Sequence, residues 1–414
     1  MNVRTPEQIK TLLASRRLPD HPRVVVSGNH AVPRTLLALL DETLPAYRLN
    51  TINAPTGLPD REGVSYETSF VGAGMRAHPR LSYVPARLSQ VPLLFSTTRQ
   101  PDVVLVHTSM PRGGKVSLGI EVNVLPAAIE ACHARGGLII AQMNAQMPYT
   151  YGDGEYGLHL FDAVMEVDEP LPIPPPRRTS GEAAESALQI GERVAARVPH
   201  GATLQLGIGE VPDATLASLT ARQGLALWSE MFSDGVLRLD EAGALDPDRT
   251  IVSSFAFGSE ELYRWLDGNR RVRMQRTEIT NDPAHIARQP LMTSVNTALQ
   301  VDLFGQANAS RIGARIHSGF GGQTDFIVGA LHSRGGQALM ALRSWHPKAQ
   351  VSTIVPILRE PTTSFQPSAV ITEQGVAAIQ GLDERAQAAG IIEQAAHPDA
   401  RDSLRAAAAE LGLN

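Results

Sequence analysis

The chain has 414 residues, more than one hydrophobic core commonly supports, so two domains are expected. Its 43% hydrophobic and 19% charged residues are ordinary for a globular protein, and a net charge of −5 leaves no basic footprint for nucleic acid and no polybasic membrane signal. The single cysteine, Cys132, excludes an internal disulfide and a cysteine-rich metal site.

In chain order, the opening MNVRTPEQIKTLLASRRLPD has no apolar stretch of signal-peptide length. RVVVSG (23–28) reads as a short β-branched strand ending in glycine. VPRTLLALLDETL follows with leucines at helical spacing behind a proline. PDVVLVHTS (101–109) is a second apolar strand. PAAIEACHARGG (126–137) reads as a helix stopped by Gly136 and Gly137, with LIIAQMN (138–144) as the next strand. Continuous apolar strands alternating with helices predict parallel sheets covered on both faces.

The rhythm breaks at EPLPIPPPRRTSGE (169–182), where prolines force extended backbone and remove donors. This gives a first domain over 1–172, a linker over 173–182 and a second domain over 183–414. The second series opens with a helix at about 182–198. It continues through ATLQLGIG, LALWSEM, TIVSSFAFG, LQVDLFGQ, QALMALRS, VSTIVPIL and SAVITEQG. An alanine-rich helical tail over about 383–412 is split at His397-Pro398-Asp399. No run approaches about 18 uninterrupted apolar residues, so no membrane span is expected, and a cytoplasmic location follows from the cysteine usage and the opening sequence.

Open parallel sheets bind ligands outside the carboxyl ends of their strands. Three constellations stand there. GATLQLGIGEVPDATLASL (201–219) is a strand, a Gly207-x-Gly209 turn and a helix behind Pro212, so it is either an anion-binding turn or a plain strand-to-helix connection. A dinucleotide fingerprint needs a third glycine where Pro212 stands, and no full phosphate-binding loop is present. HSGFGGQTDFIVGA (317–330) places Gly319, Gly321 and Gly322 ahead of Gln323, either as an amide concavity for a developing oxyanion or as a flexible loop. LWSEMFSDGV (227–236) holds Glu230 at the end of an apolar run, either as a solvated strand-end acid or as a reactive carboxyl with a raised pKa. His30, His107, His159 and His317 lie near loops without metal-ligand spacing, and His30 follows the first strand. No Gly-x-Ser-x-Gly elbow supplies a serine nucleophile.

In shared order along nearly the whole chain, these motifs resemble the acetyl-CoA hydrolase/transferase family, in its branch of 4-hydroxybutyrate CoA-transferase type. The resemblance rests on SGNHAVPRTLLALL, ETSFVGAGMR, LSYVPARLSQVP, SLGIEVN and AQMNAQMPYTYGDG in the first half. In the second half it rests on GATLQLGIGEVPDATLASL, SEMFSDGV, LQVDLFGQANA, SGFGGQTDFIVGA, ITEQGVA and AAHPDARDSL. It implies two α/β domains of the class I CoA-transferase type with open, mostly parallel sheets and an active site in the cleft between them. The family's reactive glutamate lies in a segment written roughly H-[ST]-E-M-F-S-D-G, which maps it to Glu230. The turn Gly207, Ile208, Gly209, Glu210 and Val211 matches the segment associated with coenzyme A, and Gly319, Gly321, Gly322 and Gln323 match the loop near the thioester. Gln205, His30 and Trp228 are candidate substrate contacts. Trp228 stands where the family usually has histidine, which puts the substrate preference in question.

The implied reaction moves coenzyme A between a short-chain acyl-CoA and a carboxylic acid through a glutamyl-CoA thioester, with acyl-CoA hydrolysis as the alternative when water enters. Acyl-CoA is then a substrate, no cofactor or metal is held permanently, no nucleic acid or membrane is a partner, and a homodimer or larger homo-oligomer is expected. A catalytically inert acyl-CoA binder has no use for the retained glutamate.

Overall fold

A computed structural model of the protein describes residues 3–174 and 181–414. The predicted linker falls largely on 175–180, outside the described residues. The chain divides into two compact units. Unit 1 comprises Met1–Pro174, Ile251–Thr280 and Ile316–Gly321, and unit 2 comprises Pro175–Thr250, Asn281–Arg315 and Gly322–Asn414. The second half of the chain is therefore not one contiguous body.

Unit 1 is built on a seven-stranded sheet. Its strands are β1 (Arg23–Val26), β2 (Tyr47–Asn50), β3 (Val64–Thr68), β4 (Leu81–Tyr83), β5 (Val103–Thr108), β6 (Leu138–Asn144) and β7 (Ala163–Val167). All six pairings are parallel, in the order β4-β3-β2-β1-β5-β6-β7. Helices α1 (Pro6–Ser15), α2 (Arg34–Thr43) and α3 (Leu125–Ala134) belong to the same unit. Helix α1 starts with a capping box: Thr5 Oγ1 accepts from Gln8 N and Gln8 Oε1 accepts from Thr5 N. Every residue of β5 and β6 is buried, as expected of strands covered on both faces. Leu36, Leu37, Leu39 and Leu40 of α2 join Val24, Val26, Leu105 and Ile140 of the sheet in one apolar core.

Winding starts at β1 and runs in both directions, through β2 on one side and β5 on the other. The switch point lies between β1 and β5, with Asn29 and His30 just past the carboxyl end of β1. TIVSSFAFG, expected as a strand of the second series, instead places Ile251–Ser253 in a parallel pair with Val272–Met274 inside unit 1. The reason is non-local: a three-residue strand carries no sequence mark of which sheet it will join.

Unit 2 repeats the principle. Strands β8 (Thr203–Leu206), β9 (Ala226–Leu227), β10 (Met292–Asn296), β11 (Gln337–Ala341), β12 (Ala369–Ile371) and β13 (Val376–Ala378) form a six-stranded sheet. The order is β9-β8-β10-β11-β12-β13, parallel except for the β12–β13 pair. The helices that matter are α4 (Glu182–Arg197), α5 (Glu210–Ser218), α6 (Asp234–Glu241), α7 (Pro283–Ala287) and α8 (Gln323–His332). Helices α4 and α5 cross closely at Gly191, where a Cβ would lie 2.7 Å from the backbone carbonyl carbon of Ala214. The switch point is between β8 and β10. The carboxyl edge there carries the Gly207–Val211 turn after β8 and Trp228–Glu230 after β9. Among the described residues no helix is long and apolar enough to cross a membrane.

Candidate functional site

Glu230 lies three residues past the end of β9, in the bend before α6. The residue is half-buried, and Asn281 Nδ2 donates to its Oε2 at 2.7 Å. The Gly322 amide, at the N-cap of α8, hydrogen-bonds the same carboxyl. Burial pushes the Glu230 carboxyl up to about 7. The Asn281 donor opposes that shift, the negative charge of Asp325 adds to it, and the Gly322 amide opposes it. Asn281 and Asp325 are 0% and 1% exposed.

Gly322 has an ordinary backbone, φ −98° and ψ 1°, so conformation does not demand glycine there. Space does: a Cβ would stand 2.0 Å from Glu230 Oε2 and 2.1 Å from Asn281 Nδ2. The protein thus brings together two residues singled out from sequence, Glu230 and Gly322, and adds Asn281, which sequence reasoning missed. Asn281 sits in TNDPAH, which reads as a helix start. Asp282 indeed caps α7, its Oδ1 accepting from Ala284 N at 2.7 Å. A contact 51 residues away leaves no local signature. Gln323, the first residue of α8, is half-buried, and its Nε2 lies 3.8 Å from Met340 Sδ.

The Gly207–Val211 turn also lies in unit 2. Gly209 is the N-cap of α5 at φ +136°, a conformation that L side chains rarely adopt. Nothing lies within 4 Å of a Cβ built on Gly207, so the chain leaves open space there. Ile208 is half-buried and Val211 buried. Glu210 forms an ion pair with Arg343, and Asp213 adds a second acid to the first turn of α5. Gln205 is 5% exposed; Ser294 Oγ and Asn296 Nδ2 donate to its Oε1 at 2.7 and 3.3 Å, across the switch point between β8 and β10. Trp228 is half-buried, packs against the apolar core of unit 2 and stacks on His285, with ring centroids 6.3 Å apart and planes 13° apart.

His30, Gly319 and Gly321 belong to unit 1. His30 Nδ1 lies 3.0 Å from the Pro172 carbonyl, its ring is 4.6 Å from that of Phe257, and burial lowers its pKa. The neighbouring Asn29 donates its Nδ2 to buried Glu121 at 2.7 Å, Asn123 Nδ2 donates to the same carboxyl at 3.3 Å, and Asn53 Nδ2 donates to Asn29 Oδ1 at 2.8 Å. All three asparagines adopt left-handed backbone, φ 48°, 49° and 41°, which asparagine tolerates better than most residues. Gly319 pairs with Phe70, where a Cβ would meet the Ser69 carbonyl at 2.4 Å; Gly321 takes φ +57° and its carbonyl accepts from Leu88 N at 2.9 Å. The glycines of this loop therefore answer three different demands: close approach at 319, positive φ at 321 and room for the carboxyl at 322.

Among the described residues no group of three or more His, Cys, Asp and Glu is placed to hold a metal ion. Chemically, the arrangement is a raised-pKa carboxyl with the Asn281 amide on Oε2 and the Gly322 N–H on the same carboxyl. It suits a carboxylate nucleophile whose own carbonyl oxygen must be stabilised.

Known proteins resemble this chain over most of its length. Residues 258–408 match the acetyl-CoA hydrolase/transferase C-terminal domain. The chain is 34% identical to 4-hydroxybutyrate coenzyme A transferase of Clostridium kluyveri, over 94% of each protein. It is 36% identical to succinyl-CoA:acetate/propanoyl-CoA:succinate CoA transferase of Fasciola hepatica, over 94% of this chain and 85% of that protein. It superposes on the crystal structure of 4-hydroxybutyrate CoA-transferase from Porphyromonas gingivalis with a TM-score of 0.80 and 28% identity, covering 99% of this chain and 98% of the other. The chain belongs to the acetyl-CoA hydrolase/transferase family and has the CoA-transferase fold.

Proposed function

We propose that this protein is a CoA-transferase that moves coenzyme A between a short-chain acyl-CoA and a carboxylic acid, with Glu230 as the covalent nucleophile. The single observation that carries the reading is the Glu230 carboxyl itself, pushed up to about 7 by burial and held on one oxygen by Asn281 Nδ2. Acetyl-CoA with 4-hydroxybutyrate or butyrate is the substrate class, following the relatives' activities.

The proposed route has two steps and their reversal. Glu230 Oε1 attacks the thioester carbonyl and expels CoA thiolate, leaving a mixed anhydride. The thiolate then attacks the glutamyl carbonyl carbon and releases the donor acid, leaving a glutamyl-CoA thioester. The acceptor carboxylate enters and the two steps run in reverse. Throughout, Oε2 remains the carbonyl oxygen of the enzyme-bound acyl group. In the tetrahedral intermediates at the glutamyl carbon it carries the negative charge, and the Asn281 amide and Gly322 N–H are already aimed at that carboxyl. One such donor is commonly worth about 3 kcal/mol of transition-state stabilisation. A carboxylate with a pKa near neutrality is also a stronger nucleophile than an ordinary glutamate, while remaining substantially ionised at pH 7.

The Gly207–Val211 turn is the proposed seat of coenzyme A. Open space above Gly207 lets a ligand approach the backbone closely. Glu210 and Asp213 already place negative charge in the first turn of α5, so the turn suits the uncharged pantetheine arm better than a phosphate. Gln205, His30, Trp228, Gly319, Gly321 and Gln323 remain proposed contacts. If water reaches the anhydride or the thioester, the same carboxyl hydrolyses acyl-CoA. The activity is proposed to be cytoplasmic and homo-oligomeric, with no permanently bound cofactor.

The test pairs several acyl-CoAs with several acids and measures thioester loss without an acceptor in parallel. Ping-pong kinetics, with transfer far exceeding hydrolysis, are expected. Sequential kinetics requiring both substrates together would overturn the covalent route, and hydrolysis equalling transfer would make the protein a hydrolase.

A further inference from the structure

The Glu230–Asn281 hydrogen bond is one of several contacts that close on themselves within unit 2. Two segments meet there: 228–230, after β9, and 281–287, which includes α7. They touch at Glu230–Asn281, 2.7 Å, and again at the stacked rings of Trp228 and His285. Helix α8 is the third side. Its N-cap Gly322 presses on the Glu230 carboxyl. Farther along α8, Gly329 lies against α7 so tightly that a Cβ would stand 2.5 Å from Ile286 Cβ and 3.1 Å from the Pro283 carbonyl oxygen. Ile286 is fully buried, in the same core against which Trp228 packs. Each side of the triangle thus has a fixed contact, and the Trp228–His285 side is partly open to solvent: the His285 side chain is 41% exposed.

We propose that the Trp228–His285 stack is a positioning clamp that holds α7 against the 228–230 segment and thereby keeps the Asn281 amide on Glu230 Oε2. Packing explains why a clamp is needed. Asn281 precedes a helix of only five residues, too short to be rigid by its own hydrogen bonds. Its first turn is capped by Asp282 and its far face rests on Gly329 of α8. Besides the Asn281–Glu230 bond itself, the ring stack crosses directly from α7 to the 228–230 segment. Flat rings slide but resist approach and separation, so the stack fixes the gap between the two segments while tolerating small shear.

The consequence is chemical. With the stack intact, Asn281 offsets part of the effect of burial and of the Asp325 charge, which favour the protonated form of Glu230. With the stack lost, α7 drifts, the amide leaves the carboxyl, and both the ionised nucleophile and the oxyanion donor are weakened together. The charged or titratable groups facing this corner are Asp325 from α8, His285 from α7 and Asp282 at its N-cap, with His285 Nε2 and Asp282 Oδ2 4.0 Å apart. The inference rests on reading Glu230 as the nucleophile.

The test compares His285→Ala with His285→Phe, which retains a flat ring. Three readouts are taken: kcat and KM, the pH profile, and the titration of the Glu230 carboxyl in the resting protein. The last is followed by carbon-13 NMR on glutamate-labelled protein and assigned with Glu230→Gln. For His285→Ala the expected result is a fall in kcat of about tenfold with little change in KM for acyl-CoA. The Glu230 titration should move upward by about half a pH unit or more. His285→Phe should restore both to near wild type. An unmoved Glu230 titration in His285→Ala, or equal impairment in His285→Phe, would overturn the clamp. Because the titration needs no turnover, a wild type without transferase activity would sink the assigned reaction and leave the clamp standing.

Discussion

Glu67 and Glu230 are both packed carboxyls near a strand end of a parallel sheet, one in each unit, and the surroundings send them in opposite directions. Glu67, in β3, is 3% exposed and meets guanidinium groups: Arg23 Nε at 2.7 Å, Arg23 Nη2 at 3.1 Å and Arg99 Nη1 at 3.3 Å. Burial raises its pKa, but those cations outweigh the effect and hold it below the ordinary glutamate range. Glu230 is met by amide donors and by the charge of Asp325, and burial prevails, to about 7. Burial of a glutamate therefore says nothing about reactivity until its partners are known. A guanidinium pair makes a permanently ionised, satisfied group; neutral donors leave a carboxyl that can switch between a base, a nucleophile and an ester.

The strongest way to break the comparison is to remove each charge in turn. Glu230→Gln should lower CoA transfer by about 10⁴-fold or more while the thermal transition stays near that of the wild type. Glu67→Gln should leave the chemistry largely intact but strand Arg23, itself 8% exposed, at a cost of about 3–5 kcal/mol in denaturant unfolding. Reversed outcomes would mean that the roles are exchanged.

Asn281→Ala comes next. A fall in kcat of about 10²- to 10³-fold is expected, with the rising limb of the pH profile displaced upward because the lost donor had favoured the ionised form. Gly322→Ala should approach the same loss by pushing a methyl group into the space between Glu230 and Asn281, with little penalty from backbone conformation. A Gly322→Ala enzyme of normal activity would show that the carboxyl does not need to sit there during turnover.

The smallest effect is on stability against pH, and its sign separates the two glutamates. The folded-state pKa of Glu230 is raised, so the native protein holds a proton that the unfolded chain has already lost. Stability from this group is complete below the usual glutamate range and declines as pH rises through about 7, by up to about 3 kcal/mol. Glu67 does the opposite: its pKa is lowered, so its contribution is present at neutral pH and fades as pH falls below the usual glutamate range. Chemical denaturation across pH should therefore show a decline towards pH 8 that disappears in Glu230→Gln, and an acid-side decline that diminishes in Glu67→Gln.

Much of the fold was legible because continuous apolar runs such as Val103–Val106 and Leu138–Ile140 admit few readings other than covered parallel strands. Strand β10 was not legible. Its TSVN places Thr293 and Ser294 in the core, where Ser294 Oγ hydrogen-bonds Gln205, and a polar strand of this kind looks like a loop. The allegiance of 251–280 to unit 1 was hidden for a related reason: pairing between Ile251–Ser253 and Val272–Met274 is a property of three dimensions, not of local pattern. At the site, glycines and the lone glutamate were visible because each violates its neighbourhood. Asn281 and His285 were invisible because Asn-Asp-Pro-Ala-His is an ordinary helix start, which it also is.

The most direct measurement is to incubate the protein with an acyl-CoA and no acceptor acid, then digest it and weigh the peptides. The peptide containing Glu230 should carry a coenzyme A adduct that disappears when a carboxylic acid is added and is absent from Glu230→Gln. An unmodified Glu230 peptide in a protein that is turning over, or an adduct on any other residue, would contradict the account.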